Sequence, residues 1–148
     1  MLGTVMDRKF KVIRIVSRIH AYIYSISRGR VGKQLGTVGI LLLITTGRKS
    51  GKRRSVPLAA IPDGENYILV ASFGGSPVHP SWLINIRHNP VVDIRVGSVV
   101  KRAKAYIIET TDAVYDDIWA KAVAVYKGFD DYKSVTSRNI PVVVVTPL

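Results

Sequence analysis

The chain has no cysteine among its 148 residues, which excludes a disulfide framework, a thiolate nucleophile and any cysteine-ligated metal. Histidine is scarce too: His20, His79 and His88 are the three present, and they lack the close spacing of a ligand pair, so no metal is expected. Acidic residues are few. Ten Asp plus Glu stand against twenty-two Lys plus Arg, a formal net charge of +12, and a surface this basic attracts an anion. Nucleic acid, a phosphorylated cofactor and an anionic membrane all qualify. No helix-turn-helix, RRM or KH pattern occurs, and the basic residues cluster with glycine and in an N-terminal segment instead of alternating with aromatics, so nucleic acid is not expected as a partner. Uninterrupted apolar runs of membrane-spanning length are missing, as is a small-residue cleavage site, and a cytoplasmic protein is expected.

What is present is a cationic turn, Thr45-Thr46-Gly47-Arg48-Lys49-Ser50-Gly51-Lys52-Arg53-Arg54, between apolar runs at 40–44 and 56–61. Glycines able to take positive φ, planar guanidinium forks at Arg48 and Arg54, a point charge at Lys49 and the Ser50 hydroxyl make it an anion cradle. The competing reading is a solvated hairpin whose charges keep a sheet edge soluble. The turn has neither P-loop spacing nor a following helix, and both readings stand on it alone.

Six strands are expected, at 40–45, 55–61, 67–72, 91–96, 99–108 and 142–146. Pro62-Asp63-Gly64 and Gly97-Ser98 are turn signals that make hairpins of the second with the third and the fourth with the fifth. Pro80 opens a helix over 81–88 that Asn89-Pro90 stops, and Thr111-Asp112 is placed to cap a helix over 113–125. A further helix is expected at 7–28, with Lys11, Arg14 and Arg18 on one face and Ile15, Ile19, Tyr22, Ile23 and Ile26 on another. It either packs on the domain or lies on an anionic membrane, which would put the protein at the inner face of the cell membrane. The expected organisation is a basic helix and loop at 1–36 followed by a small antiparallel β-barrel at 37–148 with helices packed outside.

Four segments in order carry a resemblance: 43–51 with Arg54; Val70-Ala71-Ser72-Phe73-Gly74-Gly75; His79-Pro80-Ser81-Trp82-Leu83-Ile84-Asn85 with Asn89-Pro90; and Asn139-Ile140-Pro141-Val142-Val143. Together they resemble the deazaflavin-dependent nitroreductase family, within the split β-barrel flavin and deazaflavin oxidoreductases that include the pyridoxamine-phosphate-oxidase-like proteins. The resemblance implies a split antiparallel barrel and coenzyme F-420, a deazaflavin with a phosphate and an acidic tail. It implies cofactor contacts from Arg48, Lys49, Ser50, Gly51 and Arg54, with the Ser50 and Gly51 N–H groups closing the cradle. The strand carrying Ser55, Val56, Pro57 and Leu58 would run beside the cofactor. Val70, Ala71, Ser72 and Phe73 would flank its ring, and the helix bearing Trp82 and Asn85 would close the site, although Trp82 also reads as a core anchor and Asn85 as a helix-surface residue.

The implied chemistry is hydride transfer to a quinone, another activated alkene or carbonyl, or a nitroaromatic acceptor, with Tyr126 and Tyr132 as proton donors. Packing of a helix end on the barrel is the other reading of both tyrosines. Where relatives carry a third tyrosine this chain has Phe129, a substrate-contacting position whose missing hydroxyl disfavours bulky nitroaromatics. Phe73 makes the mouth of the site more apolar, and Arg53 only adds to the basic rim. Two other readings stay open: an FMN-dependent reductase, which fits the charge less well because FMN has no acidic tail, and a non-catalytic deazaflavin-binding or membrane-surface module.

Overall fold

The computed structural model of the chain describes residues 34–35 and 38–148, so the expected helix at 7–28 lies outside the described residues. Eight strands are described: β1 Gln34–Leu35, β2 Val38–Thr46, β3 Arg53–Ala59, β4 Ile61–Asp63, β5 Asn66–Val70, β6 Val91–Val96, β7 Val99–Ile108 and β8 Val142–Pro147. Three helices accompany them: α1 Ser81–His88, α2 Tyr115–Val125 and α3 Gly128–Ser134. All pairings are antiparallel, in the order β1-β2-β6-β7-β8-β5-β4, with β3 on the other side of β2. Among the described residues the ladder does not close, and the result is a half-barrel.

Local chemistry accounts for the elements that position the site. β2 is apolar on both faces: Leu41, Leu42 and Leu43 are all buried, as a strand flanked by β3 and β6 requires. Among the described residues β3 pairs with β2 alone, so Pro57, opposite Leu42, interrupts no second ladder there. Gly97-Ser98 turns β6 into β7, with Val96 opposite Val99, as expected. The other turn sits one residue later than expected, because Pro62 belongs to β4 and Asp63 pairs with Asn66 across Gly64-Glu65.

Two apolar clusters hold the half-barrel. Leu41, Leu43, Leu69, Trp82, Leu83, Ile86, Ile94, Val143 and Val145 join α1 to the inner sheet face. Ile61, Ile68, Tyr115, Trp119, Phe129, Ile140 and Val142 seat α2 and α3 against β4, β5 and β8. Three expectations are corrected. The strand at 55–61 is two strands, broken at the buried Ala60. Thr111-Asp112 does not cap α2: Val114 occupies the cap position without a side-chain bond, and the Asp112 carboxylate accepts the Glu109 N–H at 2.7 Å instead. Finally, β1 pairs with β2, Gln34 opposite Gly39, so the sheet reaches two residues into a segment read as loop.

Candidate functional site

The basic turn is closed by its own backbone. Gly47 N–H donates to Lys52 O at 2.7 Å and Gly51 N–H to Gly47 O at 2.8 Å. Gly51 takes the positive φ, 68°, while Gly47 is needed for closeness, because a Cβ there would lie 2.7 Å from Ser50 Oγ. The Gly51 N–H and the Ser50 hydroxyl oxygen are therefore engaged within the turn, the latter accepting Lys52 N–H at 3.2 Å. This corrects the expectation that Gly51 N–H completes a cradle. Among the described residues, the N–H groups of Lys49 and Ser50 remain without a partner.

The five cations of the turn divide into two kinds. Arg53 is ion-paired to Asp93, which also takes Arg102 Nε at 3.4 Å. Burial works against the Asp93 charge, but hydrogen bonds from the two arginines and their charges outweigh it and hold the carboxyl below its ordinary range. Arg48, Lys49, Lys52 and Arg54 are exposed and have no carboxylate partner among the described residues. Such cations stay available to an anionic ligand.

Asn85 ties this turn to α1. It is 4% exposed; its Oδ1 accepts Arg48 N–H at 3.2 Å and its Nδ2 donates to Thr45 Oγ1 at 3.1 Å. The expected helix-surface alternative for Asn85 is thereby replaced by a buried clasp. Trp82, one turn earlier, is buried in the sheet-facing cluster. On β3, Ser55 is exposed, while Val56, Pro57 and Leu58 are half-buried, Val56 and Leu58 leaning on the same cluster.

The second half of the site is the segment 71–79. Ala71 is fully buried, its N–H donates to Pro141 O at 3.0 Å and its carbonyl accepts from Arg138, so it and the buried Val70 serve to carry Ser72 and Phe73. Ser72 is buried and Phe73 half-buried. Phe73 has φ 43°, and Gly74 and Gly75 come next at 61° and 80°, a left-handed run closed by Gly75 N–H to Ser72 O and Ser76 N–H to Phe73 O. A non-glycine residue there is strained by about 1–2 kcal/mol.

α3 packs on this run: a Cβ on Gly75 would strike the Val135 side chain and come within 3.1 Å of Tyr132 O. Tyr126 and Tyr132 are brought together, hydroxyl to hydroxyl at 3.3 Å. The Tyr126 hydrogen bond first, then burial, pushes the Tyr132 phenol up to about 12, so this hydroxyl keeps its proton through the neutral range. Phe129 lies beneath them, 5% exposed, its ring edge-on to Tyr126 at 5.1 Å and 6.4 Å from Trp119. The ring thus supports the tyrosine pair from the core side.

The sequence reading missed Arg138. Its guanidinium donates to the carbonyls of Ser76, Asn139, Ala71 and Ser72 and meets His79 Nδ1. No motif announces a lone arginine four of whose five partners lie 59 to 67 residues upstream. Among the described residues no group of His, Asp and Glu could hold a metal ion, and no helix is long and apolar enough to cross a membrane.

Comparisons with known proteins agree with this arrangement. Residues 16–147 match the family model described as F420H(2)-dependent quinone reductase. An F420H(2)-dependent quinone reductase of Mycobacterium tuberculosis is 38% identical over 131 residues, 87% of this chain and 88% of the relative. Among solved structures, an F420-H2 dependent reductase is 40% identical, covering 72% of this chain and 92% of its own, with TM-score 0.63. A chain described as a domain-swapped dimer is 33% identical over 97% of this chain and 98% of its own, with TM-score 0.67. A pyridoxamine 5'-phosphate oxidase-like protein of Listeria innocua, 15% identical with TM-score 0.51 over 73% of this chain and 82% of its own, shares the split-barrel fold alone. The chain belongs to the F420H(2)-dependent quinone reductase family.

Proposed function

We propose that this chain is an oxidoreductase that binds reduced coenzyme F-420 and reduces a quinone or a comparable activated alkene or carbonyl. The observation that carries the reading is the basic turn, four of whose five cations have no acidic partner among the described residues, beside two free N–H groups. That donor set fits a ligand with a phosphate and several carboxylates, and exceeds what the single phosphate of FMN requires. Family membership supports the same cofactor.

When bound, the coenzyme supplies the hydride. The chain's own tasks are to bind, to orient and to govern a proton. Arg48, Lys49 and Arg54 hold the anionic end, with the N–H groups of Lys49 and Ser50 beside them. Ser55, Val56, Pro57 and Leu58 form one flank, and Ser72 and Phe73, carried on Val70 and Ala71, form another. Trp82 and Asn85 fix the helix between them. Tyr126 and Tyr132, joined hydroxyl to hydroxyl, form a donor pair in which one O–H bridges the two phenols and the other is left to stabilise negative charge on the acceptor oxygen. With Phe129 in place of a third hydroxyl, donors suffice for one oxygen but not for both oxygens of a nitro group. Lys11, Arg14 and Arg18 support a peripheral contact of the N-terminal segment with an anionic membrane, which co-sedimentation with phosphatidylglycerol vesicles tests.

Fluorescence titration of coenzyme F-420 into the protein is the test. Lys49→Ala and Arg54→Ala should each weaken binding about tenfold at low salt, and the loss should shrink as ionic strength rises. Menadione should be turned over faster than a bicyclic nitroimidazole. Unchanged affinity in both variants would remove the cradle, and stoichiometric FMN in the purified protein would replace the cofactor.

A further inference from the structure

Arg138 uses its whole donor set. Nε donates to Ser76 O at 2.7 Å, Nη1 to Asn139 O at 3.0 Å and toward His79 Nδ1 at 3.2 Å, and Nη2 to Ala71 O at 3.1 Å and Ser72 O at 2.8 Å. Those are the five N–H bonds a guanidinium has. Four of the five end on residues 71–79, and two of the acceptors, Ser72 O and Ser76 O, bracket the left-handed run that begins at Phe73. A strained residue persists only where its surroundings over-determine it. Arg138 is one outside group that does so, alongside α3, which packs on Gly75, and Pro141, which takes the Ala71 N–H.

The contact with His79 has a second consequence. A guanidinium cannot accept, so the imidazole Nδ1 facing it must present its lone pair, and a neutral ring then carries its proton on Nε2. Protonation would set a second cation against Arg138, which has no carboxylate partner among the described residues. Burial, Arg138 and Arg87 all lower the His79 pKa, and only Glu109, itself paired to Arg87, opposes them. Nε2 has no partner among the described residues.

We propose that Arg138 is a positioning residue of the cofactor site: it fixes Phe73 in its left-handed conformation and holds His79 as a neutral ring offering an Nε2–H donor beside the segment that flanks the ligand. This rests on the proposed function for the identity of the ligand, and on the hydrogen-bond geometry alone for the positioning. Lysine cannot substitute, because three donors on one nitrogen do not span carbonyls approached from both edges of a plane. Glutamine at 79 can, since its Oε1 accepts from Arg138 while its Nε2 donates.

The test joins two measurements on the full chain. Long-range proton–nitrogen correlation spectra at neutral pH, with His79 assigned by the peak lost in His79→Gln, should show Nδ1 unprotonated and Nε2 protonated, with a titration midpoint below 6.5. In Arg138→Lys that midpoint should rise. Coenzyme F-420 titration should then show roughly tenfold weaker binding for Arg138→Lys and His79→Phe, with His79→Gln within about twofold of the unsubstituted protein. A protonated Nδ1 in the unsubstituted protein, or Arg138→Lys with unaltered cofactor affinity and His79 midpoint, overturns the inference. If the unsubstituted protein binds no coenzyme F-420, the proposed function falls, and the His79 tautomer and midpoint decide the positioning role by themselves.

Discussion

The basic turn and the 71–79 segment are both short polar stretches between strands, yet they commit their polar groups in opposite ways. In the turn the backbone is closed by bonds spanning four or five residues, and the side chains are left exposed. In 71–79 the backbone is held by Arg138 and Pro141, far along the chain, and the side chains of Ser72 and Ser76 are buried. One region is a rigid platform with charges to spare. The other is a shaped wall in which the carbonyls of Ala71, Ser72, Phe73 and Ser76 are already engaged, so substitutions in the first should affect binding without folding, and in the second folding together with binding.

Phe129→Ala, in the helix α3 that packs on the wall at Gly75, is the strongest way to break that contrast. The ring is 5% exposed and supports Tyr126 and Trp119, so its removal should cost about 3–5 kcal/mol and lower the Tm by roughly 10–15 °C. Arg54→Ala, measured beside it in the same calorimetric scan, should stay within about 0.5 kcal/mol of the unsubstituted protein. Equal losses would mean that the turn is part of the core after all. Asn85→Ala sharpens the comparison at its seam. It leaves Thr45 Oγ1 and Arg48 N–H without their partner, an expected cost of about 1–3 kcal/mol, and hydrogen exchange at the Arg48 amide should speed up while exchange at Gly51 is unchanged. The smallest effect is on pH. His79 has a lowered pKa in the folded state, so the unfolded chain takes up its proton first, and stability contributed by the neutral ring is complete above about 6.5 and declines as pH falls below it. Asp93 is lowered as well, and its contribution is lost only further down, beneath about 3.8. Denaturant midpoints at about pH 7 and pH 5.5 should differ in the unsubstituted protein and converge in His79→Gln.

Local signals were legible, and non-local ones were not. β6, β7 and α1 fall at the expected residues because alternation, a two-residue glycine turn and the Pro80 and Asn89-Pro90 boundaries are written within each segment. α3 is absent from the sequence reading because Gly128, Asp130, Asp131 and Ser134 are weak helix formers and seven residues give no periodicity. It stands because Phe129 is buried and Trp119 Nε1 donates to Asp130 at 2.8 Å. At the site, the ordered motifs identified the turn and the family. They could not tell which cations are already paired, since that depends on Asp93, forty residues from Arg53, nor that Asn85 faces inward, nor that Arg138 exists as a clamp.

The reach of the Arg138 bonds also sets an order of assembly. The basic turn closes on its own backbone, with longer ties, among the described residues, only to Asn85 and Asp93, whereas the wall forms once residue 138 meets Ala71 and Ser72 across 67 and 66 residues of chain, a closure whose entropic cost is met late in folding. A growing chain therefore acquires the capacity to attract an anion well before it acquires the shape that holds one productively. Residues 138–148 carry both the clamp and β8, the strand between β7 and β5, so trimming them would remove the wall's support and an interior strand of the sheet together.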